Sequence, residues 1–303
     1  MKRLIRVYRR AGSMRQFIAT VLEEIFVRAW SRGTIRNISS PFVSDYEPPK
    51  WVFLVGCFNS GTTILQKILN SHPDISGLPR EGVRFTSVLS NLELHGHHMM
   101  WADDFPSHVV PDLSDSDAYI QIKKDWGVFW KKGSAVFLDK SVANTARIKW
   151  LSRVFPNAAF IGIHRNGYCV SEGLRRRAIP PGWLVKETGD RKYPLANVAN
   201  QWVRSNEIML DEFSGLNNSL LVSFEALVSN PVREVKSILQ FIGVDAEAVS
   251  IDSESGELNI FGSGFVIRDP NPSSLERLAQ GSKEIVASII KPMMVRLGYT
   301  ACD

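Results

Sequence analysis

Hydrophobic residues follow two alternating patterns along the chain from residue 51 onward. Short runs rich in β-branched and aromatic residues are separated by segments whose apolar positions recur every three or four residues. The runs predict strands and the periodic segments predict helices. The predicted strands are 51–57, 135–139, 158–164 and 219–224, and the helices between them include 62–70 and 144–155. Strands separated by helices at this spacing are typical of parallel crossover units, so the pattern predicts an α/β fold, a doubly wound parallel sheet with helices on both faces.

One later helix is delimited by its terminal residues. Asn230 can cap its beginning, Pro231 suits its first position and Gly243 ends it, while the apolar residues between them share one face. Two other segments give no clear prediction of regular secondary structure. Residues 82–133 indicate only mixed short elements, and residues 182–194 indicate a mobile loop.

The first forty residues differ in character from the rest. Apolar residues recur at helical spacing between residues 17 and 30, which predicts an amphipathic helix over 14–31. Turn-forming residues over 39–49 indicate a linker. We therefore expect a basic helical arm at 1–40 and one α/β domain at 50–303. The helix of the arm either docks on that domain or lies on an anionic membrane surface, and Glu23 and Glu24 weigh against the membrane.

The positive charge of the protein is concentrated in this arm. The whole chain has a formal net charge of +5. Residues 1–40 contain nine Lys or Arg residues and two Glu residues, a net charge of +7, so the remaining residues carry −2. This net charge argues against a nucleic-acid-binding protein with a basic face over its whole fold.

The sequence shows neither the residue spacing of a known metal site nor a recognisable export signal. Cys57, Cys169 and Cys302 are too few and too scattered for a disulfide framework or a zinc site. The cluster of His95, His97 and His98 fits no standard zinc spacing, so we expect no metal. No apolar stretch approaches the ~20 residues that span a bilayer, and the N-terminus lacks the apolar core of a secretory signal. These features predict a cytoplasmic protein, with membrane contact through the arm as the alternative.

Candidate chemistry begins in the loop VGCFNSGTT at residues 55–63. Gly56 and Gly61 frame four residues between a predicted strand and a predicted helix, a context in which backbone N–H groups hold an anion. Nucleotide triphosphatases have Lys after the second glycine, whereas this chain has Thr62. The loop therefore lacks the lysine that binds the outer phosphates of a metal-bound triphosphate. Its backbone amides and the hydroxyls of Ser60, Thr62 and Thr63 could instead hold a 5′-phosphate that bears one further group. A strand-to-helix turn without a ligand is the alternative.

Two motifs in order along the chain carry a family resemblance. The first is Ser60-Gly61-Thr62-Thr63, and the second is the predicted strand Phe160-Ile-Gly-Ile-His-Arg165-Asn-Gly. Together they resemble the two nucleotide-binding signatures of the sulfotransferase family, which transfers a sulfuryl group from 3′-phosphoadenosine 5′-phosphosulfate (PAPS) to an acceptor. Leu151-Ser-Arg-Val-Phe-Pro-Asn157 is similar to the tyrosylprotein sulfotransferase branch. The resemblance covers residues 51–299 and implies a P-loop NTPase-like sulfotransferase fold.

The resemblance implies how the nucleotide is held. Residues 60–63 would bind the 5′-phosphosulfate. Arg165, and Arg177 by similarity to the tyrosylprotein branch, would bind the 3′-phosphate, which suits the planar guanidinium group. A surface ion pair is the structural alternative for Arg165.

The resemblance also implies two catalytic residues. Glu81 matches a Glu-x-x-Arg arrangement in which the glutamate is the base, and Lys140 matches a lysine that steadies the transferring group. A structural pair of Glu81 with Arg80 or Arg84, and an exposed strand-end position for Lys140, are the alternatives.

Two positions depart from the family pattern. Asn59 stands where many members have Lys or Arg next to the bridging oxygen, so Lys140 or Arg80 would have to supply more charge. Gly173 stands where the family usually has Ser on the 3′-phosphate. Ser171 is nearby, but two residues along a helix correspond to a rotation of about 200°.

The sequence thus predicts a PAPS-dependent sulfotransferase that needs no metal and acts on a hydroxyl or amine acceptor. The acceptor class is left open among small molecules, carbohydrates and peptides, and the sequence does not indicate an oligomeric state. Two other functions compete with this prediction. One is a non-catalytic adenine-nucleotide-binding protein, which Asn59 and Gly173 favour. The other is an ATP-dependent phosphotransferase, which the absence of the Walker lysine disfavours.

Overall fold

The computed structural model describes residues 25–27, 29–31, 33, 36, 46–90, 99–102, 110–252 and 257–300. The centre of this structure is a five-stranded sheet in the order β2-β3-β1-β4-β5, in which every neighbouring pair is parallel. Its strands are β1 Lys50–Gly56, β2 Ile75–Gly77, β3 Val136–Lys140, β4 Ala158–His164 and β5 Ser219–Ser223. The predicted α/β fold is confirmed.

Helices follow the strands along the chain. They are α1 Thr62–Leu69, α2 Asp115–Trp126, α3 Ile148–Val154, α4 Gly167–Arg177, α5 Gly182–Thr188, α6 Leu195–Phe213, α7 Phe224–Ser229, α8 Pro231–Ile242, α9 Asn271–Glu276 and α10 Gln280–Arg296. Short 3₁₀ turns lie at Gly82–Arg84, Gly127–Phe129 and Val142–Arg147.

The two faces of the sheet are covered by different helices. On β1, Val52 and Leu54 belong to the buried apolar cluster that includes residues of α1 and α8. Trp51 and Phe53 point to the other face, where α2, α3 and α6 complete a core rich in aromatic rings. Because both faces are covered, β1, β3 and β4 are buried along almost their whole length.

A second, antiparallel sheet follows α8. It consists of β6 Val249–Ile251, β7 Leu258–Ile260 and β8 Ser263–Phe265, and its buried residues Val249, Leu258 and Ile260 join the core beneath α8. The sequence pattern did not predict this sheet. It matters for the site because the chain that leaves β8 returns to the edge of the central sheet.

Three local predictions were wrong. The segment 182–194 contains the helix α5, which buries Leu184 and ends at Gly189 with φ 71°. The 82–133 region contains the twelve-residue helix α2, whose periodicity is obscured by an exposed Ile120 and a buried Asp125. The side chain of Asn230 makes no capping hydrogen bond, because this residue joins two consecutive helices and donates its backbone N–H to Ala226.

Only the end of the predicted helix at 14–31 lies within the described residues. Residues 25–27 and 29–31 are helical. Val27 and Trp30 are buried in the aromatic core, and Trp30 Nε1 donates a hydrogen bond to the Asp125 carbonyl at 2.9 Å. This end of the helix therefore packs against the domain.

We predict that Trp30→Ala lowers the free energy of unfolding by about 3 kcal/mol or more, because it deletes a fully buried indole and leaves a cavity. Ile25→Ala is the matched control, since Ile25 is 58% exposed on the same helix. Urea denaturation of both variants measures the difference. Equal stability of the two variants would show that this contact does not hold the helix on the domain.

Candidate active site

A cavity of about 470 Å³ opens at the carboxyl edge of the central sheet. Gly61, Lys140, Arg165 and Phe224 line it, and each lies at or just beyond the end of a different parallel strand. In doubly wound sheets this edge is where ligands bind. The structure thus brings groups that are distant in sequence to one place.

The loop at residues 57–61 forms one wall of the cavity. Gly61 has φ 100°, and a Cβ atom there would clash with the Phe224 ring. Only glycine fits such a conformation in such close contact. The turn leads directly into α1, so the amino end of that helix, with Thr62 and Thr63, faces the cavity. This geometry suits an anion.

Ser60 lies behind that wall. It is fully buried, and its Oγ atom has no hydrogen-bond partner within the described part of the chain. A buried hydroxyl without a partner is costly, and a ligand or water molecule that hydrogen-bonds to it would lower that cost.

Two arginines lie beside the loop. The guanidinium group of Arg165 is stacked at 4.8 Å over the Phe224 ring. Its Nε donates to Asn271 Oδ1 at 2.8 Å and its Nη1 donates to the Asn59 carbonyl at 3.0 Å, while Nη2 has no partner among the described residues. Arg177 Nη1 donates to Asn59 Oδ1 at 2.6 Å. Arg165 is buried, and both arginines line the cavity.

Glu81 and Lys140 form an ion pair on the cavity wall. Lys140 Nζ lies 2.9 Å from Glu81 Oε1, and both side chains are largely buried. Lys140 is therefore not an exposed strand-end residue. Glu81 Oε2 makes no hydrogen bond to the described residues, so it is available as a proton acceptor.

Comparison with known proteins identifies the family of the chain. A model of the sulfotransferase family matches residues 49–248. The chain belongs to the sulfotransferase family. The family resemblance found in the sequence is thereby confirmed.

Individual relatives extend over most of the chain. Protein-tyrosine sulfotransferase 1 of Danio rerio is 23% identical over 284 residues, covering 88% of this chain and 76% of the relative. Protein-tyrosine sulfotransferase 2 of Gallus gallus is 21% identical, covering 82% and 69%. The crystal structure of sulfotransferase STF9 from Mycobacterium avium has a TM-score of 0.50 at 12% identity and covers 90% of this chain and 82% of its own, which shows a shared fold.

In this family member a buried carboxylate holds the Glu81 segment in place. Asp139 precedes Lys140 on β3, and its Oδ1 accepts hydrogen bonds from the Gly82 N–H at 2.8 Å and from Ser141 Oγ at 2.9 Å. Its Oδ2 accepts from Asn144 Nδ2 at 2.7 Å. Consecutive residues on a strand point to opposite sides. The end of β3 therefore presents Lys140 to Glu81 on one side and fixes the backbone next to Glu81 on the other.

Not every predicted site residue lines the cavity. Ser171 is fully buried in α4, and its Oγ has no partner among the described residues. Gly173 contacts the Asn59 side chain. Neither belongs to the cavity wall. A direct role of Ser171 or Gly173 in nucleotide binding stays a prediction.

Other residues near the cavity were not anticipated. Arg268 lines it from the chain that follows β8, Lys67 lines it from α1, and Asn271 orients Arg165. Phe224 is the last residue of the predicted strand 219–224, and the sequence pattern assigns it no role in the site. Arg268 and Asn271 depend on the small antiparallel sheet and on α9, so no local pattern in the sequence could have placed them.

Three further features bear on function, namely metal ligands, reactive cysteines and membrane-spanning helices. Among the described residues no three His, Cys, Asp or Glu side chains are grouped as metal ligands, and His95, His97 and His98 lie outside the described residues. Cys57 and Cys169 are buried free thiols whose pKa burial raises to about 12, and Cys302 lies outside the described residues. In the described parts no helix has both the length and the apolar character needed to cross a membrane.

We predict a pH-dependent stability that depends on Asp139. Burial raises the pKa of this carboxyl from 3.8 to about 6. Between these two values the folded protein binds a proton that the unfolded chain has released, so the free energy of unfolding falls as pH rises. From pH 4 to pH 7.5 the wild type should lose about 2 kcal/mol relative to Asp139→Asn, which cannot titrate.

Chemical denaturation across that range measures the effect. In Asp139→Asn the Asn144 amide can turn to present Oδ1, which has no partner in the described structure, to the new amide. Parallel pH profiles for the two proteins would contradict the predicted titration.

Proposed function

We propose that the protein transfers a sulfuryl group from PAPS to a hydroxyl or amine acceptor. The observation that carries the proposal is one cavity that joins the Ser60–Thr63 loop, two arginines and a Glu81–Lys140 pair. An anion-binding loop and a pair of cations suit a nucleotide with phosphate groups at both ends of its ribose. A carboxylate beside a lysine suits proton removal together with charge stabilisation.

The residues present fit such a nucleotide. Ser60 Oγ and Arg165 Nη2 are buried donors without a partner among the described residues. The loop with Thr62 and Thr63 would hold the 5′-phosphosulfate, and Arg165 and Arg177 would hold the 3′-phosphate. Thr62 in the position of the Walker lysine leaves the outer phosphates of ATP without their usual cation.

PAPS would supply the sulfuryl group: the bond between its sulfur and the bridging oxygen would break as sulfur bonds to the acceptor's oxygen or nitrogen, and adenosine 3′,5′-bisphosphate would leave. Glu81 accepts the acceptor's proton at Oε2. Lys140 offsets the negative charge that develops on the leaving side. The protein's own contribution is thus one base, one cation and the alignment of the two substrates.

For the acceptor we propose a tyrosine in a protein or peptide. Support comes from the protein-tyrosine sulfotransferases, to which the similarity extends over 88% of the chain. The alternative acceptors are sugars and small alcohols. A panel of tyrosine peptides, monosaccharides and alcohols with labelled PAPS distinguishes them, and transfer only to a sugar or an alcohol would refute the tyrosine acceptor.

Two substitutions test the catalytic roles. We predict that Glu81→Gln and Lys140→Ala each lower kcat about a hundredfold, as is typical on loss of a general base or an electrostatic stabiliser. The measurement is initial rates of sulfuryl transfer with labelled PAPS. The matched control is the remote Lys236–Glu247 pair, 3.9 Å apart, of which Glu247 is 88% exposed on its side chain. Lys236→Ala and Glu247→Gln should leave kcat unchanged, and near-wild-type rates for both site variants would remove the assigned roles.

A binding experiment tests the nucleotide. We predict that adenosine 3′,5′-bisphosphate binds at least tenfold more tightly than ATP with magnesium, because ATP lacks the 3′-phosphate that two arginines can grip. Isothermal titration calorimetry measures both affinities, with and without EDTA. Magnesium-dependent binding of ATP as the tighter of the two would favour the phosphotransferase. Tight binding of the bisphosphate without transfer to any acceptor would favour the non-catalytic nucleotide-binding protein.

A further inference from the structure

Asn59 connects the loop to both arginines. It has φ 66°, a left-handed conformation that few residues other than glycine adopt and that Asn tolerates. Its backbone carbonyl accepts from Arg165 Nη1 at 3.0 Å, and its side-chain Oδ1 accepts from Arg177 Nη1 at 2.6 Å. One residue of the 5′ loop therefore contacts both guanidinium groups.

Gly173 lies against the same side chain. A Cβ atom at this position would lie 3.2 Å from both Cγ and Nδ2 of Asn59. That separation is closer than ordinary carbon contacts, so a larger residue would push the amide away from Arg177. The two positions that depart from the family pattern are thus in contact with each other.

The hydrogen bonds to Asn59 do not neutralise the positive charges of the two arginines, because both acceptor oxygens are uncharged. Arg165 donates to the uncharged oxygens of Asn59 and Asn271, and Arg177 donates to the uncharged Oδ1 of Asn59. Burial, and then the nearby positive charges of Arg176 and Arg165, lower the pKa of Arg177. A neutral amide can hold such a group in place without neutralising it, whereas a carboxylate would do both.

We propose that Asn59 is a positioning residue that fixes Arg177 for the 3′-phosphate, and that Gly173 provides the space this side chain needs. This inference rests on the proposed function. A lysine or arginine at position 59, as in many family members, would place a third positive charge close to the guanidinium groups of Arg165 and Arg177, and like charges repel. Asn59 and Gly173 together form an alternative arrangement of the nucleotide site and are not a defect in it.

The test compares two nucleotides that differ only in the 3′-phosphate. Isothermal titration calorimetry measures the Kd of adenosine 3′,5′-bisphosphate and of adenosine 5′-phosphate for the full chain. Asn59→Gly removes the side chain but keeps the left-handed backbone and the carbonyl that Arg165 uses. We expect Asn59→Gly to weaken binding of the bisphosphate about tenfold or more, in line with loss of a hydrogen bond to a charged group, and to change binding of the 5′-phosphate less than twofold.

Gly173→Ala provides an independent second variant. Alanine is favourable in the interior of α4, so the helix itself is not weakened. The new methyl group should displace Asn59 and lower bisphosphate affinity in the wild-type background. In the Asn59→Gly background the same substitution should have no further effect, because the side chain with which it collides is gone.

The outcomes separate this inference from the proposed function. If the wild type binds both nucleotides equally, the proposed function fails and this inference fails with it. If the wild type prefers the bisphosphate but Asn59→Gly keeps that preference, only the role of Asn59 is refuted. Equal weakening of both nucleotides by Asn59→Gly would also refute it, because Asn59 would then act on the 5′ end. Additive effects of the two substitutions would refute the part assigned to Gly173.

Discussion

The parallel pairing of β1 with β3 on one side and with β4 on the other is the constraint on which the cavity depends. The register places Leu54 beside Lys140 and Gly56 beside Ile163. The last residue of β1, Gly56, therefore lies two residues beyond the level of Lys140 on one flank and two residues before Arg165 on the other. Because these strands are buried on both faces, sliding any of them would expose apolar side chains and would be resisted by the whole core.

The polar groups at this edge are stabilised in two different ways. On the β3 side, charges compensate each other: Glu81 pairs with Lys140, and Asp139 accepts hydrogen bonds from three donors. On the β4 side, Arg165 and Arg177 contact neutral oxygens. Arg165 is buried, and hydrogen bonds to uncharged oxygens do not neutralise it, so an anionic ligand would lower the cost of burying it. The β4 side of the site therefore favours an anion at Arg165.

Local sequence patterns predicted four of the five central strands and the loop, but not β2, and Glu81, Lys140 and Arg177 were assigned to the site only through the family resemblance. Strands β1, β3, β4 and β5 and helices α1 and α8 have clear apolar patterns, whereas the three-residue β2 is too short to have one. The helix α2 was missed because tertiary contacts bury Asp125 and leave Ile120 exposed. The contact of Asn59 with Gly173 joins residues 114 positions apart in sequence. Such a contact depends on how α4 packs beside the loop, and no pattern along the chain records it.

Under the proposed roles, the ion pair of Glu81 with Lys140 couples proton removal from the acceptor to charge stabilisation on the leaving group. While Glu81 is ionised, it neutralises Lys140 at 2.9 Å, so the buried pair is close to neutral overall. When Glu81 takes up a proton its negative charge is lost, and the charge of Lys140 is no longer offset by its partner. That charge becomes available as negative charge develops on the leaving oxygen, and burial makes it effective over a few ångströms. Proton removal and charge stabilisation are thereby coupled through one contact, which Asp139 holds in place.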